Sequence, residues 1–275
     1  MVAAHRCRWE GRTLLAHGVT AALLVSCCFV SVSRTQAQYA GDEFYDQGLD
    51  LSKAKRYREA IPYYTRAIQM DERNADAYAE RAYAWVQLED YDNALADANE
   101  AIRLNPNGEI AYCQRGRVWL VKEDYDRAVA DFNQAIRLYP TDSGYYYNRG
   151  LAWEGKRSYD RAITDFGEAI RLNPNDVDVY SELAWIQATC PDAQYRDGQK
   201  AFENASRAYQ LDGGKHWRSL NALAAAYAEN GDFAAARNWQ AKAIELAPNG
   251  TFKIKDKCRY RLEFYNKGEP FRTTK

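Results

Sequence analysis

Residues 75–108 read ADAYAERAYAWVQLEDYDNALADANEAIRLNPNG, and 109–142 and 143–176 follow in register as EIAYCQRGRVWLVKEDYDRAVADFNQAIRLYPTD and SGYYYNRGLAWEGKRSYDRAITDFGEAIRLNPND. Tyr78, Ala94, Ala101 and Pro106 of the first return as Tyr112, Ala128, Ala135 and Pro140, then as Tyr146, Ala162, Ala169 and Pro174. A fixed period of this size marks an array of helical repeats in which each unit buries its apolar face against its neighbours.

Within a unit the pattern is twice helical. Tyr78, Ala82 and Trp85 fall at i, i+4 and i+7 of one helix, and Tyr91, Ala94, Ala98 and Ala101 line one face of a second. Small residues on both faces let the helices approach closely. Asn105, Pro106 and Asn107 end the pair, since proline lacks an amide proton and disfavours helical geometry in the residue before it. Counting outward, units start at Gly41, Ala75, Glu109, Ser143 and Val177, and a sixth starts at Trp217 after extra residues, ending at Pro248. In the fifth, Thr189 to Gly198 lengthens the turn between helices, so something protrudes there or packs on the end of the stack. Lys253 to Asn266 carries Ile254, Tyr260, Leu262, Phe264 and Tyr265 among charges, which predicts a capping helix ended by Gly268 and Pro270. The expected domains are a leader over 1–37, the array over 41–250, and the cap and tail over 251–275.

The amino-terminal segment is a separate object. Arg6, Arg8 and Arg12 precede a largely apolar run from Leu14 to Val32, and Thr35, Gln36 and Ala37 resemble a small-residue cleavage site. This reads as an export signal cut after Ala37, placing the mature chain in a periplasmic or extracellular setting. Two alternatives stay open: the run is retained as an anchor, or Leu24, Val25, Ser26 and Cys27 act as a lipobox with Cys27 acylated.

Composition excludes several classes of function. Thirty-seven basic and 38 acidic residues are interspersed, so no basic footprint for nucleic acid exists. His216 is the only histidine after the leader, which removes histidine-based zinc sites and histidine-dependent triads. Glu89–Asp90 and Glu123–Asp124 occupy the same turn of neighbouring units, the place of a solvated turn and not of an acid–base pair. Cys113, Cys190 and Cys258 make no disulfide framework; buried thiols are expected, with a Cys190–Cys258 bridge as the alternative. Asn204-Ala205-Ser206 and Asn249-Gly250-Thr251 match a short glycosylation pattern of low specificity. No cofactor, metal site or enzyme activity is expected.

Arg81, Arg115 and Arg149 hold the seventh place of units two to four, and Asp97, Asp131 and Asp165 the twenty-third, while both places change together in the other units. An antiparallel hairpin brings these places together, which predicts three charge-assisted hydrogen bonds between paired helices. The alternative, an arginine row for an anionic ligand, does not require a matched aspartate at each step.

The aromatic at the fourth place, small residues at the eighth, twentieth and twenty-seventh, and proline at the thirty-second resemble the tetratricopeptide repeat family over Gly41 to about Gly250. Unit one departs, with Glu72 in place of proline. The stretches Leu183–Gly198, Leu223–Phe233 and Arg261–Arg272 also look like a terminal module of bacterial members. The resemblance implies an all-α, right-handed superhelical solenoid of about six helix-turn-helix repeats with a C-terminal capping helix. It further implies a groove lined by Tyr45, Leu49, Glu80, Tyr83, Gln114, Arg117, Tyr147, Asn148, Glu182 and Trp185. Members that clamp the carboxylate tails of cytosolic chaperones use Lys and Asn at the fifth and ninth places of one unit, and Lys and Arg at the second and sixth of a later one. Here Tyr45 and Leu49, Ala79 and Tyr83, Cys113 and Arg117, or Tyr147 and Leu151 stand at the first pair, and Ile110 and Gln114 or Gly144 and Asn148 at the second. That adaptor role is not expected.

The resulting expectation is a monomeric, non-enzymatic scaffold that binds a partner peptide or protein outside the cytoplasm. The alternative is a carrier or regulatory subunit that uses the aromatic groove for polysaccharide, lipid or an enzyme.

Overall fold

The computed structural model describes residues 40–248 and 254–273, and every regular element among them is helical. The leader, with its cleavage, anchor and lipobox readings, and the Asn249 motif lie outside the described residues. The described residues divide into two compact units, one ending at Asn74 and the other starting at Ala75.

In the first unit, helix α1 (40–53) and helix α2 (Tyr57–Met70) form one hairpin. Tyr64 is fully buried, and its hydroxyl meets Ser52 Oγ at 2.9 Å. The ring lies where a side chain on Gly48 would stand, 2.6 Å from an added Cβ.

The second unit stacks five hairpins: α3 (Ala75–Gln87) with α4 (Tyr91–Leu104), α5 (Glu109–Val121) with α6 (Tyr125–Leu138), α7 (Ser143–Gly155) with α8 (Tyr159–Leu172), α9 (Val177–Thr189) with α10 (Gly198–Asp212), and α11 (Trp217–Glu229) with α12 (Phe233–Leu246). Helix α13 (Ile254–Lys267) follows. The first helices α3, α5, α7 and α9 start at Ala75, Glu109, Ser143 and Val177.

One device closes most hairpins. The residue before the cap is left-handed, with φ of 61° at Glu89, 58° at Glu123, 59° at Arg157 and 84° at Gly231. The next residue then caps the second helix: Asp90 accepts from the Asn93 amide, Asp124 from Arg127 and Asp232 from Ala235. An aspartate there satisfies amides that the first turn leaves without partners. Glu89–Asp90 and Glu123–Asp124 are thus turn and cap.

The core is built from alanines, among them Ala94, Ala98, Ala128, Ala162 and Ala169, all fully buried. Tyrosine at the fourth place fastens neighbouring repeats, because the Tyr112 and Tyr146 hydroxyls donate to the carbonyls of Pro106 and Pro140, each at 3.2 Å.

The long turn between α9 and α10 packs back on the stack. A short 3-10 helix, Ala193–Tyr195, sets Tyr195 against Tyr159 with ring centroids 5.5 Å apart, and Arg196 pairs with Glu229 at 3.2 Å. Cys113, Cys190 and Cys258 are free and buried, so the alternative Cys190–Cys258 bridge is not formed. Asn204 donates to Gln187 at 2.8 Å from a part-buried position, which does not suit glycosylation.

Candidate interaction groove

The arginine–aspartate places form a ladder inside the stack. Arg81 meets Asp97 through two hydrogen bonds of 2.7 and 2.8 Å, Arg115 meets Asp131 at 2.8 and 2.7 Å, and Arg149 meets Asp165 at 2.8 and 2.7 Å. Arg115 Nη1 also donates to Asn99 at 2.9 Å and Arg149 Nη1 to Asn133 at 2.7 Å, so each arginine ties its own hairpin to the second helix of the preceding one. The hydrogen bonds to Asp131 and Asp165 raise the pKa of their arginines above the ordinary guanidinium value. With both oxygens of each aspartate taken, the ladder is part of the framework and offers no open row for an anion.

The open face lies on the first helices. Glu80, Tyr83, Gln114, Arg117, Tyr147 and Asn148 share a concavity of about 430 Å³ across α3, α5 and α7. A second, of about 530 Å³, continues from Arg117, Tyr147 and Asn148 to Val121, Leu151, Asp178 and Arg218. The two form one groove with Arg117 at its middle. Gln114 is buried and accepts from Arg117 Nη1 at 3.1 Å, so it acts as a support beneath the surface. Tyr147 is half-buried on the floor, its ring centroid 6.0 Å from that of Phe166, and burial holds its phenol well above the ordinary value.

Tyr45 and Leu49 lie in the first unit, where Tyr45 packs 6.1 Å from Tyr64 and both residues are half-buried.

At the other end the expectation for Trp185 needs correction. Trp185 is only 9 % exposed and lies under the C-terminal strap 268–273. Phe271 packs on its ring at 5.8 Å, and the Arg261 guanidinium lies 4.4 Å from the ring centroid. The strap is tied to α9 by Arg272 Nη1 donating to the Ala188 carbonyl at 3.0 Å and the Thr273 amide to that of Thr189 at 3.0 Å, and Arg272 pairs with Glu229 at 2.6 Å. Glu182 and the remaining exposed edge of Trp185 line a small cleft of about 130 Å³ with Trp217, Arg218 and Arg261, beyond the main groove.

Two carboxyls in this region have pKa values raised above the usual carboxylate range. Burial pushes Glu154 up to about 8, with Glu182 nearby adding to the rise, and burial also raises Glu182. Burial lowers the pKa of Arg218, but its acidic neighbours outweigh this, and it pairs with Asp178 at 3.0 Å.

Among the described residues no cluster of three His, Cys, Asp or Glu side chains is placed to hold a metal, and no helix is long and apolar enough to cross a membrane. What the groove offers is aromatic area, amides and fixed charge.

A family model for the tetratricopeptide repeat matches residues 45–109, 113–188 and 193–251, well over half of the chain. The chain belongs to the tetratricopeptide repeat family. Among solved structures, the Pseudomonas aeruginosa pilF structure superposes with a TM-score of 0.64 at 21 % identity, covering 83 % of this chain and 99 % of that one. YrrB, described as a TPR protein with an unusual peptide-binding site, gives a TM-score of 0.51 at 23 % identity over 70 % of this chain and 97 % of its own. MamA from Desulfovibrio magneticus RS-1 gives 0.52 at 20 % identity over 63 % of this chain and 96 % of that one. These likenesses show the fold. Human serine/threonine-protein phosphatase 5 is 40 % identical over 57 residues, which is 21 % of this chain and 11 % of that protein. A match over so small a part of the phosphatase carries none of its activity here.

The sequence reading missed Asn99 and Asn133. Their signal was present, since Asn stands at the twenty-fifth place of the units that precede Arg115 and Arg149, and Gly167 stands there before Leu183. It also missed the strap, whose contacts join residues 84 positions apart.

Proposed function

We propose that this protein is a non-catalytic scaffold that holds an extended segment of another polypeptide in the groove centred on Arg117 and Tyr147. The observation that carries this reading is the continuity of the groove across three hairpins, open along its length and lined by aromatic rings beside a fixed guanidinium. Such a lining offers large contact area at small entropic cost while charge and amides set register. YrrB, a fold relative, is itself described as having a peptide-binding site, which supports the reading by analogy.

The setting we propose is outside the cytoplasm, supported by the basic, then apolar, then small-residue order of Arg6 to Ala37. Fusing residues 1–40 to a reporter active only after export tests it; a reporter that stays inactive rules this setting out.

Photo-crosslinking tests the groove. A photoreactive residue in place of Val121, which is 43 % exposed on the groove, should capture a polypeptide that the same group at exposed Arg127 on α6 does not. Equal capture from both positions contradicts a groove-bound partner. Capture of glycan or lipid alone transfers the role to the carrier reading.

A further inference from the structure

The charges along the groove narrow the partner, on the proposed reading that the groove takes a polypeptide. Asp142 is used as a cap, its Oδ1 accepting from the Gly144 amide at 2.7 Å. Asp178 is paired with Arg218 at 3.0 Å. Glu89 lines the second concavity from the exposed turn before α4. Arg117 differs: the groups shown to meet its guanidinium are Gln114, Gln87 and the Tyr83 ring, none of them a carboxylate.

Its guanidinium is nevertheless held in place. Gln114 accepts from Nη1 at 3.1 Å, and the Gln87 amide, turned to satisfy both groups, accepts from Nη2 at 3.0 Å. The Tyr83 ring centroid lies 5.9 Å from Cζ. All three are neutral. They fix the orientation of the charge without cancelling it, and a half-buried, preoriented guanidinium without a counter-charge favours a carboxylate.

We infer that Arg117 receives an acidic side chain from within an extended segment of the partner. A side chain fits better than a chain terminus, because Arg117, Tyr147 and Asn148 belong to both concavities and the groove continues on either side of them. On one side the lining includes an aliphatic patch of Leu120, Val121 and Leu151, with the Asp178–Arg218 pair beyond it. The segment therefore carries an Asp or Glu with an aliphatic residue a short way to that side.

The test is selection of random nonapeptides, displayed within a longer linker so that neither end is free, on the full-length chain. Peptides selected on the wild type are expected to be enriched in Asp or Glu beside an aliphatic residue. The same peptides, synthesised with both ends blocked, should lose at least tenfold in affinity on Arg117→Gln and on changing their acid to the amide, with the two losses non-additive. Tyr147→Ala should weaken all of them. Thermal melts of both variants check that the fold is kept. Peptides that depend on Tyr147 but bind Arg117→Gln as well as wild type overturn this inference and leave the groove reading intact. Absence of any selected peptide, or binding insensitive to both substitutions, overturns the groove reading itself.

Discussion

The ring of Phe132 occupies the space that a side chain on Gly116 would fill, since a Cβ added there would lie 2.8 Å from Phe132 Cε1. Gly150 stands in the same relation to Phe166 at 2.5 Å, and Gly48 to Tyr64 at 2.6 Å. In the remaining early unit the same places hold Ala82 and Ala98, both fully buried. Each of the first four hairpins fills one volume in one of two ways, with glycine and an aromatic or with two alanines.

Gly116→Ala therefore overpacks the third hairpin and should destabilise the chain by about 1–3 kcal/mol. Phe132→Ala alone should cost about 3–5 kcal/mol. The double variant reproduces the Ala82–Ala98 solution, so its loss should fall short of the sum. Urea unfolding of all three measures the coupling, and strict additivity refutes the shared volume.

Arg115 and Asp131 are 25 % and 8 % exposed at their side chains. Asp131→Ala leaves the Arg115 charge without its bidentate partner, and breaking a fully buried pair costs roughly 3–5 kcal/mol. Partial exposure of Arg115 screens the interaction, so the loss should sit at or below the lower end of that range. Chemical denaturation reads it; a change within experimental error means the pair contributes nothing.

Glu154 has its pKa raised in the folded state to about 8, largely by burial, with Glu182 adding to the rise. The unfolded chain ionises it near the ordinary carboxylate value, so between that value and about 8 the unfolded state binds fewer protons than the folded state. Stability from this group is complete at low pH and is lost as pH rises through the folded value. Glu154→Gln should therefore flatten the decline of melting temperature between pH 5 and pH 8. A decline of the same slope in the variant contradicts the assignment.

The strap is the fourth test. Phe271→Ala removes the ring over Trp185, and should shift indole emission to the red and lower stability by about 1–3 kcal/mol. Unchanged emission would mean that Trp185 is not covered by Phe271 in solution.

Much of the fold was legible because the period repeats its own evidence: Tyr78, Tyr112 and Tyr146 mark one helix, and Pro106, Pro140 and Pro174 the end of the next. The pairing of Arg115 with Asp131 was legible for the same reason, as two places that change together. Trp185 was misjudged because its position within a hairpin says nothing of a strap that arrives from Phe271. Gln114 lines the concavity as expected but from a buried position beneath Arg117, a depth that register does not give. The uncancelled charge of Arg117 was likewise invisible, because it depends on which acids cap helices and which reach arginines.

The most direct measurement is a side-chain footprint by nuclear magnetic resonance, using as a synthetic peptide the segment captured from the Val121 position. The account predicts that resonances of Tyr83 and Tyr147 shift and saturate together while those of Trp119 and Trp153, stacked with Arg127 and Arg161, stay unchanged. Shifts at Trp119 and Trp153 with Tyr83 and Tyr147 unmoved would place the partner away from the groove and contradict the account.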